Sequence, residues 1–154
     1  MKDANNDNGN ETSKTIFVVR HGVARHNVAD AQTGQMPNLH NPSLLDPLLI
    51  MYGEEGVQRA RDLLLHHHAR EQQQPPNQTH YVPLVDLVVT SPLTRCLQTA
   101  HILFHDHSAG PIPPFLCHDG VREAFGCHYP DKRQPKSKLQ SEWPNVEFDA
   151  AMTE

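Results

Sequence analysis

The stretch Ile16-Phe17-Val18-Val19-Arg20-His21-Gly22 limits the fold of this chain more than any other. Four consecutive apolar residues, three of them β-branched, do not suit an alternating, half-exposed strand. They suit a strand over residues 15–20 that is covered on both faces, as in a largely parallel sheet. Gly22 then marks the turn out of it. In open α/β sheets ligands bind just beyond the carboxyl ends of the strands, so Arg20 and His21 are delivered to a ligand-binding position.

Other features bound the class of protein. A chain of 154 residues with 37% apolar content can bury one core. A net charge of −5 leaves no domain-wide excess of Lys and Arg to neutralise phosphates, which argues against a general nucleic-acid partner. Any anion site must be local. Cys96, Cys117 and Cys127 are an odd set without tight spacing, which fits a reducing compartment better than a disulfide framework. Residues 1–13 hold no apolar segment of the secretory kind, and no apolar run approaches the ~20 residues of a membrane helix. A soluble protein of the cytoplasm or nucleus, with no membrane partner, is the expectation.

The rest of the chain alternates strands with helices. Residues 1–14 read as a disordered tail and 15–154 as the folded part. Residues 23–46, with Gly34, Pro37 and Pro42, form a long loop, a class that is often functional, with a helical turn near Val28. From Glu54, the spacing of Val57, Ala60, Arg61, Leu64 and Leu65 predicts an amphipathic helix. Residues 71–79 are rich in Gln, Pro and Asn and read as an exposed connection. A second strand over 84–90 leads to Ser91-Pro92, a cap followed by a proline preset for the first helical position, and a helix to about Phe104. A short strand at 115–118 and a loop over 120–135 follow, and 143–154 reads as the start of a further element. This order indicates an α/β three-layer sandwich with a mostly parallel central sheet.

Three strand ends carry one chemical theme. The first gives Arg20 and His21, the second Arg95 in the first turn of a helix, and the third Arg122 and Glu123. Two arginines aimed at one point make an oxyanion clamp suited to phosphate. An imidazole between them is placed to attack phosphorus, and a carboxylic acid opposite could protonate a leaving alcohol. Bland readings stand beside these. Glu123 could simply pair with Arg122, and Arg25 and His26 read equally as pocket lining or as a solvated loop pair. His66, His67 and His68 splay about 100° apart on a helix and cannot share one metal ion well. Cys117-His118 and Cys127-His128 lack the usual short spacing of a zinc site.

Arg20-His21-Gly22 followed by Asn27, together with Ser91-Pro92-Leu93-Thr94-Arg95-Cys96-Leu97-Gln98-Thr99-Ala100, resembles the motifs of the histidine phosphatase (phosphoglycerate mutase-like) superfamily. Asp46-Pro47-Leu48 with Gly56, Gln58 and Ala60 resembles the stretch between them, and Val121-Arg122-Glu123 its acid motif. The wording around His26-Asn27-Val28-Ala29 and Gly126-Cys127-His128 resembles a eukaryotic branch found in plants, fungi and protists. The resemblance covers roughly residues 16–148.

It implies a phosphomonoester phosphatase that passes through a phosphohistidine at His21. Glu123 would be the acid and base, with Arg20, Asn27 and Arg95 binding phosphate. The partner would be a small phosphorylated substrate, with no metal or other cofactor. It further implies a hydrogen bond from the second ring nitrogen of His21 to a backbone carbonyl. Phosphatase is favoured over mutase because Thr33-Gly34 lacks the context of a mutase substrate loop. The family pattern also places a second histidine after a later strand, and that strand lies between the first two strands read here. No histidine follows His128. The reading is therefore of a fold incomplete at its C-terminus, with residues 15–154 a partial domain. The alternative function is a truncated, inactive relative that binds phosphorylated ligands or a partner.

Overall fold

The computed structural model describes residues 14–71, 85–105, 111–123 and 126–154. Residues 1–13 of the expected tail and most of the 71–79 connection lie outside that set. Three short parallel strands, β1 (Val88–Thr90), β2 (Phe115–Cys117) and β3 (Val146–Phe148), pair in the order β1-β2-β3. Val88 lies opposite Phe115 and then Val146, and Thr90 opposite Cys117 and then Phe148. Helices α1 (Met51–Glu71), α2 (Thr94–Phe104) and α3 (Lys136–Glu142) separate or flank them. The α/β class with a parallel sheet is as expected, and 143–154 supplies a third paired strand. Among the described residues, no helix is long and apolar enough to cross a membrane.

Side chains alternate across a pleated strand, so Val88, Thr90, Phe115, Cys117 and Phe148 share the buried face. Two clusters fill it. Ala24, Leu49, Val57, Val88, Ala100, Leu103, Phe104 and Phe115 join α1, α2 and the loops before α1 to the sheet. Leu97, Cys117, Leu139, Phe148 and Met152 tie α2 to α3. The opposite face is open at Val89, which is 49% exposed.

The expected first strand is not formed. Residues 14–20 carry no strand assignment, and Ile16, Phe17, Val18 and Val19 are exposed. A β-branched run favours extended backbone, but only a hydrogen-bonded neighbour makes it a strand. Among the described residues that neighbour is lacking. Of the expected second strand, residue 84 lies outside the described set and Val88–Thr90 form the strand, which pairs with β2 among the described residues. Helix α1 starts at Met51, three residues earlier than Glu54, and buries Gly53 and Val57, while Ala60 and Leu64 on the same stripe stay exposed. The long 23–46 loop holds one 3-10 turn at Arg25–Asn27, just before Val28, and another at Pro42–Leu44.

Candidate active site

The segment after the exposed run is fixed by the two long helices. Gly22 N–H donates to Thr99 Oγ1 at 3.0 Å, and that hydroxyl donates to the Arg95 carbonyl at 2.7 Å. Leu49 N–H donates to Gln98 Oε1 at 2.9 Å. The polar residues of the Gln98-Thr99 pair therefore hold the loops that approach α2. Val23 lies against the first turn of α1 so closely that a Cβ on Gly53 would stand 2.0 Å from the Val23 carbonyl oxygen. Only glycine fits there. An antiparallel bridge between Ala24 and Leu49, with Ile50 N–H donating to Val23 O at 3.0 Å, closes the arrangement.

His21 is thereby set at the carboxyl end of the sheet. Its Nδ1 donates to the Gly22 carbonyl at 2.7 Å, the backbone bond implied by the resemblance. That tautomer leaves a lone pair on Nε2, which accepts from Arg95 Nε at 3.1 Å. Burial holds the His21 pKa below the usual imidazole range. The positive charges of Arg95 and Arg20 push the same way, against the Gly22 carbonyl and Glu123. The ring is neutral at neutral pH.

Arg95 is fully buried. Its position follows from α2, which does not use the expected Ser91 cap. The helix starts at Thr94, and Ser91 Oγ accepts only a long 3.4 Å bond from Leu93 N–H. The first-turn donor goes instead to Asp46, whose carboxylate takes Thr94 N–H at 2.8 Å and Thr94 Oγ1 at 2.7 Å. Asp46 sits at φ 45°, a left-handed conformation that Asp tolerates better than most residues. Its pKa is raised, burial outweighing the Thr94 bonds.

The guanidinium has protein acceptors for four of its five N–H groups. Besides His21, it donates to Pro130 O at 2.7 Å, Asp131 Oδ1 at 3.0 Å and Glu123 Oε2 at 3.2 Å. Buried charge needs a paired, hydrogen-bonded partner, and Asp131, itself buried, provides it. The second carboxylate oxygen of Asp131 meets His128 Nδ1 at 3.3 Å.

Arg20, His21, Gly22, Val23, Asn27, Met36 and Pro37 line a cleft of about 300 Å³. Asn27 faces it, yet its amide is occupied: Oδ1 accepts from Ala24 N–H at 2.9 Å and Nδ2 meets His26 Nε2 at 3.1 Å. His26 is buried, not part of a solvated loop pair, whereas Arg25 is exposed. The His26 ring centre lies 5.9 Å from that of His21. Its Nδ1 is sealed from water with no hydrogen-bond partner among the described residues, at a cost of about 1–3 kcal/mol. No cluster of three metal-ligating side chains occurs among the described residues.

A curated protein of Arthroderma benhamiae named "Probable phosphoglycerate mutase" is 26% identical to this chain over 147 residues. The match covers 90% of this chain and 42% of that relative, so the chain spans less than half the relative's length. No protein-family model matches the chain, and no solved structure does. That likeness agrees with the resemblance of the motifs to the phosphoglycerate mutase-like proteins of the histidine phosphatase superfamily.

All five expected residues can be placed by what they touch or line. His21, Arg95 and Glu123 form one hydrogen-bonded set, and Glu123 meets Arg95 while Arg122 lies 3.6 Å from Asp119. Asn27 lines the cleft beside His21. The fifth, Arg20, lines the same cleft and is solvent-exposed, joined to His21 through charge. Two roles were not anticipated from the sequence, Asp131 as the buried partner of Arg95 and Asp46 as the cap of α2, and His26 was weighed only as pocket lining or part of a solvated loop pair. Charge balance is the signal that could have found Asp131, since an arginine inside a core demands a buried acid.

Proposed function

We propose that the chain carries a phosphomonoester phosphatase site in which His21 accepts the phosphoryl group. The observation that carries this reading is the tautomer of His21, with Nδ1–H committed to a backbone carbonyl and Nε2 facing an arginine. In the proposed first step the Nε2 lone pair forms the N–P bond while the bond from phosphorus to the leaving oxygen breaks. Glu123, in its acid form, gives that oxygen a proton. Water then attacks phosphorus, passes its proton to Glu123 and releases His21. Arg20 and Arg95 stabilise the charge spread over the equatorial oxygens, and Asn27 lines the phosphate side of the cleft.

Hydrolysis is favoured over transfer to a second sugar or acid hydroxyl. The apolar lining of the cleft is Val23, Met36 and Pro37, with Met36 70% exposed, which leaves the cleft wet. A small phosphorylated substrate fits its size. The unpaired cysteines support work in a reducing compartment such as the cytoplasm.

A second reading has its own support. Pro130, Asp131 and Glu123 already take three of the Arg95 N–H groups, which leaves few donors to follow a phosphoryl group through transfer and suits a site that holds phosphate only weakly, without turnover. Incubation with a radiolabelled phosphodonor separates the two. The phosphatase reading expects an acid-labile, base-stable label on His21, and unchanged labelling in His21→Ala would remove that residue from the role. Phosphate binding without any label would favour the inactive relative.

A further inference from the structure

The buried ring of His26 has a fixed proton. Ala24 N–H donates to Asn27 Oδ1, so the other end of that amide, Nδ2–H, points at His26 Nε2. Nε2 must accept, and the single proton of the neutral ring therefore sits on Nδ1. Burial holds the ring neutral, its pKa pushed down to about 4, with the charges of Arg95 and then His21 acting in the same direction. The result is a neutral N–H donor, 5% exposed as a residue, beside the candidate nucleophile and with no acceptor among the described residues. Unsatisfied groups of this kind are few in native proteins, and each calls for a reason.

The missing acceptor is supplied by the chemistry of the neighbouring ring. Bonding phosphorus to His21 Nε2 consumes the lone pair that Arg95 Nε–H now occupies, so Arg95 and His21 must part. The three phosphoryl oxygens then need donors around His21, whose ring centre lies 5.9 Å from that of His26. Resting on the reading of His21 as phosphoryl acceptor, we propose that His26 is a phosphoryl-binding residue that donates its Nδ1–H to an oxygen of the group carried by His21. Arg20 and Arg95 supply charge to that group. His26 supplies direction, through a donor whose tautomer is locked by Asn27.

The experiment is a long-range ¹H–¹⁵N correlation of the histidine rings in the full chain, titrated with orthovanadate and, separately, inorganic phosphate. The free protein should show His26 as the Nδ1–H tautomer, and its Nδ1 signal should move as the probe saturates. His26→Phe, which keeps a ring without the donor, should weaken probe binding about tenfold, the effect of one lost hydrogen bond. His26→Asn, which restores an amide donor near the Nδ1 position, should recover most of it. A bound probe that shifts His21 but leaves the His26 Nδ1 signal unmoved would overturn the inference while leaving the role of His21 intact. This observation needs no variant to fold. Probe binding that is equal in wild type, His21→Ala and Arg95→Ala, or no binding by the wild type, would overturn both.

Discussion

Two stretches with equally strong sequence signals have opposite fates in this molecule. Residues 16–19, the most strand-like run in the chain, are exposed and carry no strand assignment, with Val18 93% exposed. Arg95, a charged side chain, is 0% exposed and held by four hydrogen bonds. Hydrophobicity did not decide which was buried; available partners did. Among the described residues the apolar run has no neighbouring strand to pair with, whereas a guanidinium surrounded by a carboxylate, a peptide carbonyl and an imidazole loses little on leaving water.

The largest test of that contrast is Asp131→Ala. Removing the buried partner leaves the Arg95 charge with the exposed Glu123 as its remaining carboxylate, and should destabilise the fold by about 3 kcal/mol in urea titrations. A loss below about 1 kcal/mol would mean that Arg95 is solvated and the contrast false. Next comes Arg95→Ala, which should lower the rate of phosphoryl transfer to His21 by about 10²–10³, a typical effect of removing one oxyanion donor, measured in a rapid-quench labelling assay.

Much of this was legible beforehand, for a local reason. His21 and Arg95 each lie at the end of a short motif whose neighbours fix the backbone, as Thr99 does for Gly22 and Gln98 for Leu49. The parallel β-α alternation could be read from apolar blocks separated by Gly, Pro and Asn. What could not be read depends on distant residues meeting. Asp46 caps a helix 48 positions away, Asp131 neutralises an arginine 36 positions away, and neither follows a helical or strand period. The first strand was misread because periodicity reports what a run could pair with, not whether a partner arrives.

A smaller effect concerns acidity. The pKa of His26, pushed down to about 4, lies below the ordinary value of 6.5, so the unfolded chain takes up this proton first as the pH falls. The stability from the neutral buried ring is complete above pH 6.5 and is lost between 6.5 and about 4. His21 is shifted in the same direction. Melts followed by circular dichroism should show Tm falling across that window, with a shallower fall in His26→Phe. Equal slopes would show that the ring is already solvated. The smallest effect is expected at the other pole of the contrast. Val18→Lys should change stability by no more than about 0.5 kcal/mol, and amides 15–20 should exchange with deuterium as fast as an unprotected peptide. Slow exchange there would reveal a partner for the run.

The contact between Val23 and Gly53 has a consequence for how such a site can change over evolutionary time. The His21 ring takes its coordinates from the first turn of α1 and from Thr99 on α2, not from the run that precedes it in the chain. Residues 14–20 need only reach position 21. They can drift in composition, lengthen or exchange one pairing for another while the imidazole keeps its place. A change of one methyl group at position 53, by contrast, would push the whole segment off its seat.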